Sequence, residues 1–396
     1  MPIPVYFWFP ALGGLGLGFI TMSAPPVADQ FMNLFNMGYG GLSFFLSAIY
    51  WTHSAIQVPA GLFIDRIGAV RSLLVCIVIC VIGSLGPLIQ PDNLTLAIAF
   101  RLFLGAGTGM VFLVVVKIMQ TLTPSNHIAR AQGAQGAAFC LGTMLPYLTL
   151  THAGTSGWLA AYCSGAVFCA ILGACIFRLP LAPLRENRTT ADAAQVWHAM
   201  KVICTSKHIW FLGCCHGFAY GSLMTIGNWL PAILADTRAG SSIEDWAIAT
   251  SAMLLIGTIG RVFSGDAIRL MPRHSLIRGA ILCIGVLYAL LALANSPVFL
   301  LIPAVLLALL CGGTYAAILT LTVDSATPTY VATAVGFMTL LATGVNIILI
   351  LVLGNGREFS GGFGLGLGLA ALGAVGVCAW GRSINWRDQA SLRRKG

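Results

Sequence analysis

The sequence predicts an all-α integral membrane protein with twelve transmembrane helices in two pseudo-symmetric halves of six. The first observation is composition: 58% of the 396 residues are hydrophobic, 8% are charged, and the mean hydropathy is +0.89. The second is a series of uncharged segments of about 20 residues, the length that crosses a bilayer. The third is a loop motif that occurs twice. A soluble domain carries about a quarter charged residues, so a soluble globular fold is excluded.

Six apolar segments precede a polar stretch and six follow it. With bounds uncertain by about 2–4 residues, the predicted spans are 5–28, 41–63, 70–90, 94–119, 131–152, 157–178, 208–235, 245–266, 275–295, 297–323, 331–354 and 361–382. The predicted organisation is an N-terminal half (1–180), a linker (181–207), a C-terminal half (208–382) and a basic tail (383–396). The charged and Pro-containing linker cannot lie in hydrocarbon.

The basic residues indicate the topology. Apart from Arg101, every Lys and Arg lies on one predicted side of the membrane except Arg238 and Arg357. By the positive-inside rule, both termini and the linker are cytoplasmic, and we expect a multi-pass protein of the cytoplasmic (inner) membrane. The net charge of +9 then reflects topology and contact with anionic lipid rather than nucleic-acid binding. A monomer is expected.

The twelve cysteines show neither zinc-site spacing nor a disulfide framework, so no metal site and no cofactor are predicted. The apolar spans also lack an acid and nucleophile pair of convincing spacing, which argues against an enzyme.

A glycine-rich charged loop follows the second span and is echoed after the eighth. The first copy contains Gly61, Asp65, Arg66, Gly68 and Arg71. The echo contains Gly265, 204 residues after Gly61, and Arg269. Nearly the same interval separates the starts of the first and seventh spans, which indicates a duplicated chain. The second copy departs from the first because Arg269 stands where an acid is expected.

This loop resembles the one between helices 2 and 3 of the major facilitator superfamily. The fourth span carries Arg101 followed by Gly105, Gly107 and Gly109, which is similar to the helix 4 motif of that family. The resemblance covers essentially the whole chain. It implies a transporter whose halves rock around a site near the membrane midplane, with the first loop latching the outward-facing state.

Arg101 is the one formal charge predicted deep in a span, where an unpaired charge costs several kcal/mol. Its partner is either a backbone carbonyl of the first span or an anionic group of the substrate, and both interpretations stay open. The other candidate cavity residues are polar or aromatic side chains within spans. They are His53, Gln57, His216, Tyr220, Asn228, Trp229, Tyr315 and Asn346. Helix-to-helix hydrogen bonds are the alternative explanation for each.

The predicted function is secondary active or facilitated transport of a small polar solute, an organic anion or zwitterion. Coupling to a proton, as in symport, would use His53, His216 or Asp29, because imidazole titrates near neutral pH; a packed neutral histidine is the alternative. Other candidate functions are efflux of drugs or cations, and copper or iron transport. A transporter-like receptor or assembly factor represents a different class.

Overall fold

The computed structural model describes residues 4–124, 127–180, 184, 193–238, 240–326 and 331–384. Most of the first part of the predicted linker, and the predicted tail from residue 385 onward, lie outside the described residues. The described part is mostly helical and contains no strand.

Eighteen α-helices occur in the described ranges. In chain order, α1 to α18 are Val5–Thr21, Ala28–Phe35, Tyr39–Ala55, Gln57–Ile67, Ala69–Leu85, Leu94–Leu122, Ile128–Thr149, Gly157–Cys175, Ala193–Cys204, Lys207–His216, Ser222–Asp236, Ala247–Val262, Ser264–Leu270, Arg273–Leu293, Pro297–Gly313, Tyr315–Asp324, Val331–Ser360 and Gly364–Trp380. A π-helical turn, Gly217–Gly221, joins α10 to α11.

These helices account for the twelve predicted spans. By length and composition alone, nine continuous segments of the described residues can cross a membrane. One of them, Arg130–Arg178, contains both α7 and α8 and supplies two spans. The second and eighth spans are interrupted helices, α3 with α4 and α12 with α13, whose pieces are each shorter than a full crossing.

The interruption of the second span has a local cause. The helix is broken at Ile56, and Pro59 follows in the first turn of α4. Proline has no N–H to donate to the carbonyl of Ala55 and its ring crowds that carbonyl. The single helix predicted for 41–63 is therefore two helices in the structure.

The chain forms two compact units. Unit 1 consists of Met1–Ala191 with Ala239–Leu255, and unit 2 of Asp192–Arg238 with Ile256–Gly396.

In unit 1, α1 packs along α7, and α6 packs on α3 and α5. A Cβ at Gly14 or Gly18 of α1 would collide with backbone atoms of α7, and a Cβ at Gly142 of α7 would collide with Leu15. Glycine at these positions allows the close helix approach that is typical of membrane interiors.

In unit 2, α10 and α11 pack on α17, and α14 packs on α15 and α18. Gly213, Gly217 and Gly221 recur every four residues and so lie along one helix face. At each of them an added Cβ would approach α17, at Leu341, Val345 and Asn346 respectively.

Candidate functional site

The three glycines of the helix 4 motif pack α6 against two neighbouring helices of unit 1. A Cβ at Gly105 would meet the carbonyl oxygen of Ile49, and one at Gly109 would lie 2.6 Å from the carbonyl oxygen of His53, both on α3. A Cβ at Gly107 would lie 2.6 Å from Sγ of Cys80 on α5. The motif therefore determines how closely α3 and α5 approach the helix that carries Arg101.

His53 takes part in the same helix contact. Its Nδ1 lies 3.1 Å from Oγ1 of Thr108 on α6. The Thr108 hydroxyl also lies 3.0 Å from the carbonyl oxygen of Gly105, to which it donates; in that arrangement its oxygen accepts a hydrogen bond from Nδ1 of His53. Gln57, one turn further along and partly exposed, begins α4 beyond the break.

Arg101 lies in the interior of unit 1, with 4% of its surface exposed. The carbon of its guanidinium is 4.4 Å from the centre of the Phe45 ring on α3, a cation–π arrangement. Within the described ranges, Nε and Nη2 are buried and have no hydrogen-bond partner. The predicted bond to a carbonyl of the first span is thus not formed by these donors.

A small cavity adjoins Arg101. Its volume is about 10 Å³, enough for about one water molecule. Two further hydroxyl groups on its wall, Ser84 on α5 and Tyr162 on α8, are buried and have no hydrogen-bond partner among the described residues. The remaining lining residues are Ile20, Ser23, Phe31, Gly83, Leu104, Ala161 and Gly165. Arg101, Ser84 and Tyr162 thus bring unpartnered hydrogen-bond donors to a wall that is otherwise apolar apart from Ser23.

Asp29, the acidic proton-coupling candidate, binds backbone. Its Oδ2 accepts a hydrogen bond from the N–H of Ile243, at 2.9 Å, within unit 1. The next residue, Gln30, donates to the carbonyl oxygen of Gly154 at 2.8 Å and to Oε1 of Glu244 at 2.7 Å. It also accepts from the N–H of Trp158 at 3.0 Å. The pair ties α2 to two segments distant in sequence.

In the first loop motif, the acid forms an ion pair with the end of α6. Nζ of Lys117 lies 2.7 Å from Oδ1 of Asp65, and both side chains are about a quarter exposed. Gly68 has φ +91°, a backbone conformation that favours glycine. Arg66 and Arg71 are exposed. A Cβ at Gly61 would have no neighbour within 4 Å among the described residues, so tight packing does not explain this glycine.

The second copy of the loop uses different pairs. Arg269 lies 3.3 Å from Asp266 in an exposed contact within α13, and Gly265 has open space around it in the described structure. Arg273, at the start of α14, lies 2.8 Å from Oδ2 of Asp324 at the end of α16. Here the cation lies at the start of the helix that follows the loop motif, and the carboxylate lies on a neighbouring helix. In the first copy the charges are reversed, because Asp65 supplies the carboxylate and Lys117 the cation.

Unit 2 contains an aromatic cluster around a second arginine. The guanidinium carbon of Arg261 on α12 lies 3.7 Å from the ring centre of Tyr315 on α16. The buried His216 ring is 5.8 Å from Tyr220 and 6.0 Å from Tyr315, centre to centre. Nδ1 of His216 has no hydrogen-bond partner within the described part of the chain. The structure therefore brings together three of the predicted cavity residues and adds Arg261.

The other predicted cavity residues of unit 2 lie in the contact of α11 with α17. The fully buried indole of Trp229 donates to the carbonyl oxygen of Ile350 at 3.2 Å. Asn346, also fully buried, accepts from the hydroxyl of Thr225 at 3.1 Å, and Asn228 donates to the carbonyl oxygen of Met224 at 2.7 Å. The bonds of Trp229 and Asn346 join α11 to α17, as such bonds do between membrane helices, whereas the bond of Asn228 lies within α11.

Among the described residues, no group of three or more His, Cys, Asp or Glu side chains is placed to hold a metal ion.

Comparison with known families decides the class of protein. The family model described as Major Facilitator Superfamily matches residues 11–351. The chain belongs to the Major Facilitator Superfamily. As a member of this superfamily it is a transporter that works by alternating access rather than an enzyme. A search of curated proteins found no significant match.

Solved structures share the fold of this Major Facilitator Superfamily protein. The nucleoside transporter NupG is 13% identical, with 95% of this chain and 98% of NupG covered and a TM-score of 0.78. The xylose transporter XylE from E. coli, in an inward-open conformation, is 15% identical over 95% and 94%, with a TM-score of 0.75. A bacterial homologue of the human lysosomal transporter Spinster is 16% identical over 96% of each chain, with a TM-score of 0.70.

Sequence reasoning missed four residues that these sites depend on. Arg261 and Lys117 were assigned to the cytoplasmic basic residues, although each lies within a predicted span. A charged residue inside a span was the signal that could have identified them. Ser84 and Tyr162 have no sequence signal, because they meet Arg101 only through the packing of α5 and α8 around α6.

Proposed function

We propose that this protein moves a small polar solute, an organic anion or a zwitterion, across the cytoplasmic membrane by secondary active or facilitated transport. The observation that carries the proposal is Arg101, a buried guanidinium whose Nε and Nη2 have no hydrogen-bond partner in the described structure. A buried charge is strongly destabilising without a partner. Contact with Phe45 supplies part of the compensation, and an anionic ligand would supply the rest.

The charge at Arg101 favours an anionic group over a cation. A site for cationic drugs or metals would need a carboxylate or a ligand cluster to attract positive charge. The lining of the Arg101 cavity contains neither. Efflux of drugs or cations and copper or iron transport are therefore less well supported than transport of an anion.

Proton coupling remains part of the proposal for His216, whose Nδ1 is buried and has no hydrogen-bond partner among the described residues. His53 and Asp29 are less favourable candidates because each already forms a hydrogen bond that joins two segments.

We also propose cytoplasmic termini and a monomer. A reporter enzyme that is active only outside the cytoplasm should stay inactive when fused to the C-terminus.

The experiment that tests the proposal is thermal unfolding of the purified full chain in detergent with organic acids, amino acids, amines, sugars and metal ions. An organic acid or zwitterion should raise the midpoint temperature, and Arg101→Gln should abolish the shift. The matched control is Arg278→Gln, which removes an arginine bound to the carbonyl oxygen of Gly381 in unit 2 and should leave the shift unchanged.

Uptake and counterflow in liposomes then separate a transporter from a receptor, since a receptor would bind the same ligand without exchange. Equal ligand shifts in the wild type and Arg101→Gln, or stabilisation by cations alone, would contradict the proposal.

A further inference from the structure

We propose that unit 1 contains a binding site for a monatomic inorganic anion, chloride under ordinary conditions, formed by Arg101, Ser84 and Tyr162. The proposal goes beyond transport of an organic solute. It also holds if that solute is neutral, so the two proposals can fail separately.

The first argument is the chemistry of the cavity wall. Arg101 contributes two buried N–H donors at Nε and Nη2, and Ser84 and Tyr162 contribute one hydroxyl each; none of these four groups has a partner among the described residues. The exposed fractions of the three residues are 4%, 1% and 5%. Ser23, the remaining polar side chain of the lining, already donates to the carbonyl oxygen of Ile20. A set of donors without a carboxylate is selective for an anion.

The second argument is charge. A water molecule could accept hydrogen bonds from these donors but would leave the charge of the guanidinium uncompensated in a low-dielectric interior. Phe45 faces the guanidinium at 4.4 Å and stabilises it only in part. An anion satisfies the hydrogen bonds and the charge together.

The third argument is size. The cavity measures about 10 Å³, close to the volume that one water molecule needs. A carboxylate with its carbon skeleton does not fit this space, whereas a monatomic ion, close in size to a water molecule, needs the least widening of the wall. Because the walls on several sides are helix backbone and aromatic rings, larger halides should bind progressively less well. The expected order of affinity is chloride, then bromide, then iodide.

Binding of an inorganic anion at this site should also affect binding of the transported solute, because both would contact Arg101. An anionic group of a solute that approaches Arg101 must widen the cavity and displace the halide. Chloride and an anionic solute should therefore compete, each reducing the apparent affinity of the other.

The test measures thermal unfolding of the full chain in detergent at constant ionic strength, with chloride replaced stepwise by sulfate. Chloride should raise the midpoint temperature in a saturable way. Arg101→Gln should abolish this response, and Tyr162→Phe or Ser84→Ala should weaken the apparent affinity by roughly tenfold, the effect of one hydrogen bond to a charged group. Arg278→Gln should respond as the wild type does.

Tyr162→Phe keeps the ring and removes one oxygen, so it tests the site even where Arg101→Gln does not fold. Binding of radioactive chloride to the purified protein provides a second measurement. The proposal is overturned by a wild type without a saturable chloride response, by equal responses in wild type and all three variants, or by iodide acting best, which indicates a general salt effect. Organic acids tested in chloride-free buffer report separately on the proposed function.

Discussion

At the scale of single residues, the helix 4 motif acts through the absence of side chains at its glycines. Gly105 and Gly109 bring the backbone of α6 close to the carbonyls of Ile49 and His53, and this closeness places Thr108 within hydrogen-bond distance of His53. The same approach brings Arg101, one turn earlier on α6, against Phe45 of α3. A motif recognised from spacing alone is therefore also a packing device.

We expect Gly105→Ala to destabilise the protein by about 1–3 kcal/mol, because the new methyl group would collide with the carbonyl of Ile49 and force the helices apart. The matched control is Gly133→Ala on α7, where an added Cβ has open space within the described structure. That change should be neutral or slightly stabilising, since alanine favours helix. Thermal unfolding of both variants in one detergent measures the difference, and equal midpoints would contradict the packing role.

At the scale of elements, the two loop motifs preserve an ion pair while exchanging its charges. Asp65 of the first loop binds Lys117 near the end of α6, whereas Arg273 after the second loop binds Asp324 at the end of α16. An opposite-charge contact between a helix next to the loop and the end region of another helix thus occurs in both units. Arg269, which looked like a defect of the second motif, is accompanied by this reversed arrangement.

Charge exchange tests the first pair. Asp65→Lys or Lys117→Asp alone should destabilise unit 1 by about 1 kcal/mol or more, because each places like charges side by side. The double variant should recover most of the loss. A double-mutant cycle on unfolding midpoints measures the coupling, and strictly additive effects would mean that the two side chains do not interact.

Hydropathy was sufficient to indicate a helical membrane protein, and the loop and helix 4 motifs were sufficient to indicate the family, because both signals are local in sequence. The break at Ile56 could also have been anticipated from Pro59. The donor cavity could not, since Ser84, Arg101 and Tyr162 lie on three helices and converge only through packing. Trp229 and Asn346 show the converse: polar groups predicted for a cavity lie in a helix contact, and periodicity alone cannot tell these two environments apart.

At the scale of the whole molecule, the contact units do not follow the sequence duplication. The duplication predicts a C-terminal half that begins near residue 208, yet residues 239–255 group with unit 1. Asp29 and Gln30 of α2 account for part of this grouping, because they bind Ile243 and Glu244 directly. Two adjacent side chains therefore hold a segment that the sequence places more than 200 residues away.

Gln30→Ala tests how much of this organisation depends on one side chain. The change removes the bonds to Gly154, Trp158 and Glu244, each worth about 1 kcal/mol net. Amide hydrogen exchange should accelerate by roughly tenfold in residues 150–160 and 240–247, because local opening becomes easier there. The matched control is Gln90→Ala, which removes an exposed side chain that accepts a hydrogen bond from nearby Asn93 and should leave both segments unchanged.

Exchange in α11, within unit 2, should be the same in all three proteins, since its contacts with α17 do not involve Gln30. If Gln30→Ala accelerated exchange in α11 as much as in residues 150–160, the side chain would stabilise the fold globally rather than tether these segments. If Gln30→Ala changed exchange in neither residues 150–160 nor residues 240–247, the grouping of residues 239–255 with unit 1 would depend instead on Asp29 and on the packing of α12. Either result would remove Gln30 from the residues that set the boundary between the units.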